Sequence, residues 1–376
     1  MISHALFWLF CATVLGLPLL PALGEWWRKT DAAPLRVVRE QDTNIRHFAH
    51  SFHDHVWNLF AAEGIDTEAP PAPYSGRFRP GETFLFLGHE SRPAWPPEVA
   101  TTRAVRDVVI GLGDLLLEGN LVFTQEIYCG GQIYAGGHST FRAIYAGTDL
   151  ILGPNCVVAR WLHSQGHVHV GPDSRIYGRV SSGTSITLGL GTRFERLNAP
   201  EIRFTSDDAV TARPAAGGDA PQQWWPDERF RALDPLTYTT RIRQVAVPAA
   251  MALIVSLVAP GELVIGEGSQ VTGSLKANGR LRLGANCVVH GAIVSAGPIE
   301  IGSGCVIKGP VISEESIIVA SACILGTPEL PTSVTAPVVH VAAGSKVCGT
   351  LWAAREGLVA PETAMSMPDG KVQKIV

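Results

Sequence analysis

Residues 263–313 read LVIGEGSQVTGSLKANGRLRLGANCVVHGAIVSAGPIEIGSGCVIKGPVIS. Glycine recurs at 266, 284 and 302 and again at 273, 291 and 309, and cysteine at 287, 305 and 323; every step is 18 residues. The apolar positions keep the same step: Leu263, Leu281, Ile299 and Ile317; Ile265, Leu283, Ile301 and Val319; Val271, Val289, Ile307 and Leu325; Leu275, Ile293 and Val311. A fixed period this short predicts a stacked repeat, because one unit cannot bury its apolar face alone and neighbours share a continuous core. The predicted fold is all-β: a single-stranded, three-sided β-helix of 18-residue coils in two blocks, with an N-terminal transmembrane helix and a short amphipathic helix.

Within one period, Leu263-Val264-Ile265 is a short strand. Val264 points away from the side shared by its neighbours, since strand side chains alternate. Gly266 follows at the corner, where a positive φ is often needed. Val271-Thr272-Gly273 makes a second strand and corner, and Ser274-Leu275-Lys276 begins a third. The expected corners are Gly266, Gly273, Gly284, Gly291, Gly302 and Gly309. The expected core is Ile265, Val271, Leu283, Val289, Ile301 and Ile307, with Cys287, Cys305 and Cys323 as a packing ladder of small hydrophobes. Stacked coils bring such cysteines near enough for disulfides, but a reducing compartment would leave them as thiols.

The same clock runs upstream. Gly153, Gly171 and Gly189 are 18 apart and also read as corners, preceded by Leu152, Val170 and Leu188. Residues 106–149, rich in glycine and aromatics, are expected to form less regular coils. The predicted organisation is an anchor over 1–29, a juxtamembrane helix and Pro-rich connection over 30–105, and a first block over 106–204. An irregular excursion follows over 205–244, then a second block over 245–360 and a tail over 361–376. The period leaves open whether the two blocks stack end to end or stand side by side.

Two apolar stretches compete for a membrane assignment. Val245–Ala259 is fifteen residues, short of the roughly 20 a span needs. Val245, Val247, Leu253 and Leu257 fall one period before Leu263, Ile265, Val271 and Leu275, so the stretch reads as the first coil of the second block. Ala5–Leu23 is nineteen residues without charge, followed by Trp26, Trp27, Arg28 and Lys29. Interfacial tryptophans and cations after an apolar run read as one span, and the positive residues on its far side place the bulk of the chain in the cytoplasm. A cleaved signal peptide, with Ala22 and Gly24 before Glu25, is the competing reading; it lacks the positive leading region such peptides carry.

Composition excludes some classes. A net charge of −4, 17% charged residues and no basic run are not a nucleic-acid binder's balance. Of the candidate chemistry, Thr43 is placed to cap a helix whose apolar face is Ile45, Phe48, Phe52, Val56, Leu59 and Phe60. His47, His50 and Asp54 lie on the opposite side at one-turn spacing, with His53 and His55 nearby. This is a donor set for a metal or a pH-sensitive surface, but more simply a polar face. His290 holds an outward position shared with Thr272 and Lys308. His167 and His169, which flank Val168, are expected to point outward together; with His163 they make three histidines, without the rest of a recognisable zinc site. No nucleophile elbow, HExxH, phosphate loop or dinucleotide fingerprint appears. No catalytic, cofactor-binding or metal residue is therefore assigned, and no cofactor is expected.

Residues 263–313 resemble the bactofilins, a family of polymer-forming bacterial cytoskeletal proteins. The clear resemblance covers about 245–325 and a weaker one about 150–204. It implies a non-catalytic, membrane-anchored β-helical scaffold at the bacterial inner membrane that self-associates and organises cell-envelope or cell-shape machinery, with envelope-biogenesis proteins as partners and no nucleic acid. The chain departs from the family pattern in its two blocks and long N-terminal region. Pro328, Pro331 and Pro337 also break the clock after Leu325, which is expected to cap an edge and oppose stacking. Repeats of this kind also occur in hexapeptide acyltransferases, trimeric enzymes with a histidine base, which is the alternative function.

Overall fold

The computed structural model describes residues 45–79, 81–206, 236–239 and 244–361, besides Thr13 and Leu17. The predicted anchor over 1–29, most of the 205–244 excursion and nearly all of the 361–376 tail lie outside these residues. Among the described residues, no helix is long and apolar enough to cross a membrane. Everything below belongs to one compact unit, Ile45–Val376.

The chain is all-β and mostly a β-solenoid of about 12 turns, with two helices among the described residues. In the second block the register follows the sequence clock. Leu263 pairs with Leu281, Leu281 with Ile299 and Ile299 with Ile317, all in parallel. Val271–Val289–Ile307–Leu325 and Leu275–Ile293–Val311 form two further columns. Each turn therefore contributes three short strands. The residues of these columns are fully buried, while Arg282 and Glu300 on the opposite face bond each other at 2.8 Å. Val245 pairs with Leu263 and Leu253 with Val271, so Val245–Ala259 lies in the solenoid as the period places it.

The expected corner glycines turn the chain for a different reason. None of the nine takes a positive φ. The left-handed residues form another column, two places later: Ala250, Gly268, Asn286, Gly304 and Ala322, with φ between 56° and 70°. Glycine is needed at the expected corners because backbones stack too closely there for a side chain. A Cβ on Gly284 would lie 2.5 Å from the amide nitrogen of Glu267, and one on Gly302 2.6 Å from the carbonyl carbon of Gly284. Gly153 and Gly171 meet the preceding turn at 2.5 and 2.6 Å, and Gly189 at 2.7 Å. Gly266, Gly273, Gly291 and Gly309 are closed off in the same way.

The first block starts before residue 106. Strand Glu82–Gly88 already stacks on Val108–Gly111, pairing Phe84 with Val108 and Phe86 with Ile110, and is itself covered by the antiparallel strand Tyr74–Arg79. The Pro-rich connection thus contains a hairpin and a short helix, Pro97–Thr102. Residues 106–149 stack in parallel but less regularly than the second block, as expected: Leu115 pairs with Ile133 and Leu150 with Val168 at steps of 18, Ile133 pairs with Leu150 at 17, and the register shifts between Phe123 and Glu126. Their aromatic residues stack like the aliphatic ones, Phe123 on Phe141 at 5.2 Å inside and Tyr128 on Tyr145 at 5.2 Å outside.

Helix α1, His47–Glu63, covers that outer tyrosine column. Its buried residues Ala49, Phe52, Val56 and Phe60 pack against Phe84, Phe86, Tyr128, Tyr145 and Trp161. The burial step of three to four residues is that of one helical stripe. Two expectations for this helix change. Phe48 is half-exposed, with the Arg179 guanidinium over its ring at 4.9 Å. Arg46 is the N-cap residue and makes no side-chain cap; Thr43 lies outside the described residues.

The two blocks meet at their C-terminal ends. Strand Arg193–Thr205, the last of the first block, pairs antiparallel with Lys346–Ala360, the last of the second, with Leu197 opposite Leu351 and Ile202 opposite Val347. One core cluster runs through both blocks. Pro328 and Pro331 fall in a short insertion, after which stacking resumes with Leu325 paired to Val347 and Val338 to Glu356. The prolines lengthen a turn instead of ending the stack, because the strands on either side still find partners.

Candidate functional site

Three places in this unit gather side chains that can do more than pack: the corner ladder, the face under α1 and the seam between the blocks. In the ladder, the thiols of Cys287, Cys305 and Cys323 donate to the carbonyls of Gly266, Gly284 and Gly302 at 3.2, 3.1 and 3.1 Å. The column continues as serine at both ends. Ser269 Oγ donates to Pro248 O at 3.2 Å and Ser345 Oγ to Ala320 O at 2.7 Å. In the first block the equivalent column is Ser139, Cys156, Ser174 and Thr192. These cysteines are therefore more than small hydrophobes: they are buried donors that satisfy carbonyls water cannot reach. All six cysteines among the described residues are free and buried. Burial raises the pKa of Cys129 to about 12 and also raises that of Cys156, which makes both poor nucleophiles.

The histidines do not share one outward face. His163 is fully buried under α1. Its Nδ1 shares a 2.8 Å hydrogen bond with Ser181 Oγ, and its Nε2 has no partner among the described residues. The His50 ring stands edge-on to it at 5.5 Å, and Tyr145 packs on its other side at 5.3 Å. Burial first, then the charges of His50, Arg46 and His53, depress the His163 pKa to about 4. His53 lies over Tyr145 at 5.2 Å, so this side of α1 is part of the packing rather than an open polar face. His167 is exposed and bonds Ser185 and Thr184, and His169 is half-buried. His290 is half-buried; burial, then the Lys308 charge, lowers its pKa. Among the described residues no three His, Cys, Asp or Glu side chains gather as a metal site.

At the seam, Phe194 faces Gly357 and Arg196 faces Trp352, so Glu195 alone stands opposite the four residues 353–356. This bulge opens a cleft of about 130 Å³ lined by Arg175, Tyr177, Arg193, Phe194, Glu195, Arg355 and Glu356, among others. Gly357 is glycine for a local reason: a side chain there would run into the Phe194 ring. Beside the cleft, the Arg196 guanidinium lies 4.2 Å from the centre of the Trp352 ring. The sequence reading singled out none of these residues. Arg175 and Arg193 are 18 apart and outward-facing, a signal the clock carries; Arg355 arrives from the other block and leaves no such trace.

Comparisons of the chain with protein-family models, with curated proteins and with solved structures find no match.

Proposed function

We propose that the chain is a membrane-anchored, non-catalytic β-helical scaffold of the bactofilin kind, three-sided in each turn, held at the bacterial inner membrane by residues 1–29 with its bulk in the cytoplasm. It self-associates and organises cell-envelope or cell-shape machinery. The observation that carries this reading is the seam. The terminal strands of two solenoid blocks join by backbone pairing, Arg193–Thr205 on Lys346–Ala360, and share one core. Coil ends of this chain are thus competent end-to-end contacts, and unpaired strand edges are templates for more. Because the seam occupies both C-terminal ends, assembly between copies must use the opposite ends, near Tyr74–Gly88 and Leu236–Leu253. Three strands per turn in the register columns support the three-sided shape. The acyltransferase alternative gains nothing from His290, whose nearest charged influence is the cation of Lys308.

Negative-stain electron microscopy and sedimentation of residues 36–376 test this. Filaments or concentration-dependent end-to-end oligomers support the scaffold. A uniform compact trimer that binds an acyl donor overturns it.

A further inference from the structure

The cleft at the seam carries more positive charge than its own surroundings neutralise. Arg175 and Arg193 are direct register partners in adjacent turns, and like charges placed opposite each other destabilise a sheet. Arg193 is offset by Glu356, 3.3 Å away. Glu195, also in the lining, accepts a hydrogen bond from the Gly178 amide at 3.0 Å and keeps its negative charge. The side chains of Arg175 and Arg355 are exposed and have no ion pair or hydrogen bond among the described residues. The lining therefore holds three arginines drawn from both blocks against two glutamates, Glu195 and Glu356, which leaves one positive charge in excess.

The cleft also has an apolar side. Phe194 is 2% exposed and forms a floor, and the Tyr177 ring, 49% exposed, stands at the rim. Guanidinium groups bind carboxylate and phosphate through paired N–H donors, and an exposed aromatic ring offers a flat face to a ligand ring. The walls are built: Arg355 is carried on the 353–356 bulge, and bulges re-aim side chains at such places. We propose that this cleft is a binding site for an acidic sugar, a hexose-sized ring bearing a carboxylate or a phosphate. The anion sits between Arg175 and Arg355 and the ring lies against Tyr177. Joining the two blocks is what creates the site, since neither block supplies both unpaired arginines.

Calorimetric titration of the full chain with glucuronate, glucose 6-phosphate, glucose and inorganic phosphate tests the assignment. At least one charged sugar is expected to bind about tenfold more tightly than glucose and about tenfold more tightly than phosphate alone. The glucuronate and glucose 6-phosphate arms tell carboxylate from phosphate. The double variant Arg175→Ala/Arg355→Ala should weaken that binding by about tenfold or more, as expected for loss of charge-assisted hydrogen bonds. Both side chains are exposed, so its thermal unfolding should match the parent chain. Tyr177→Ala should weaken the sugar but leave phosphate unchanged. Glucose binding as well as the charged sugars, phosphate binding as well as either, no binding at about 10 mM, or full binding by a folded double variant would each overturn the proposal.

Discussion

The imidazoles of His50 and His163 meet edge to face, 5.5 Å between ring centres, across the interface between α1 and the solenoid. His163 is fully buried and stays neutral there, its pKa depressed to about 4 by burial and by the charges of His50, Arg46 and His53. A depressed histidine pKa means that the unfolded chain takes up the proton first. Stability should therefore be whole above the unfolded value near 6.5, fall as pH drops toward about 4, and level off below it. The loss attributable to this residue is on the order of 3 kcal/mol. Melting temperatures across pH 7 to 4 for the parent and for His163→Phe check it: the variant's profile should be flatter in this window, and identical slopes would show that His163 is not responsible.

Gly284 and Gly268 should respond differently to alanine. Gly284→Ala forces a Cβ against the backbone of Glu267, which cannot move without displacing a whole turn, so a cost of about 2–3 kcal/mol or more is expected. Gly268 has open space around it and only a left-handed φ to maintain, so alanine there should cost about 1 kcal/mol. Gly268→Asn should cost less still, because Asn286 already holds the equivalent position one turn on. Urea unfolding of the three variants gives the order.

Cys305 should tolerate serine better than valine. Cys305→Ser keeps a donor for the Gly284 carbonyl, as Ser269 and Ser345 do in the same column, and should stay within about 1 kcal/mol of the parent. Cys305→Val preserves apolar bulk but strands a buried carbonyl, with an expected loss of about 1–3 kcal/mol. The reverse order in thermal denaturation would return the cysteines to simple packing residues.

Leu197 and Leu351 face each other across the seam, both fully buried. Leu351→Asp places an unpaired charge in the shared core and should cost several kcal/mol. The same substitution at Ile301, also fully buried but deep in the second block, should be as costly. Only the seam variant should, under conditions where both still fold, expose the terminal strands and raise self-association. Sedimentation velocity beside denaturation separates these outcomes.

Much of the fold is legible because a stacked coil repeats its environment. Leu281 and Ile299 meet the same neighbours one turn apart, so selection for burial prints the same residue type every 18 positions. The clock identified which glycines matter but not why. Gly266 and Gly284 stand at the right places, yet crowding by the turn below, not a left-handed φ, excludes side chains there. The aromatic stretch 106–149 reads as less regular, and its register does shift between Phe123 and Glu126, although Phe123 and Phe141 occupy one column like any leucine pair. The burial of His163 left no local signal, because the helix that covers it, α1, brings His50 against its ring from more than a hundred residues away.

The amino-acid sequence by itself determined the repeating coil, its register and the placement of Val245–Ala259 within it, since all three follow from local period and side-chain alternation. Only the tertiary structure decided that the blocks join at their C-terminal ends, that α1 buries the outer tyrosines, and that Arg175, Arg193 and Arg355 share a cleft. Those contacts link residues far apart in the chain, such as Asn198 and Thr350, whose side chains bond at 2.9 Å across 152 positions. Each is made once. A contact made once has no period, and complementary surfaces of the folded parts, rather than any local pattern, select it.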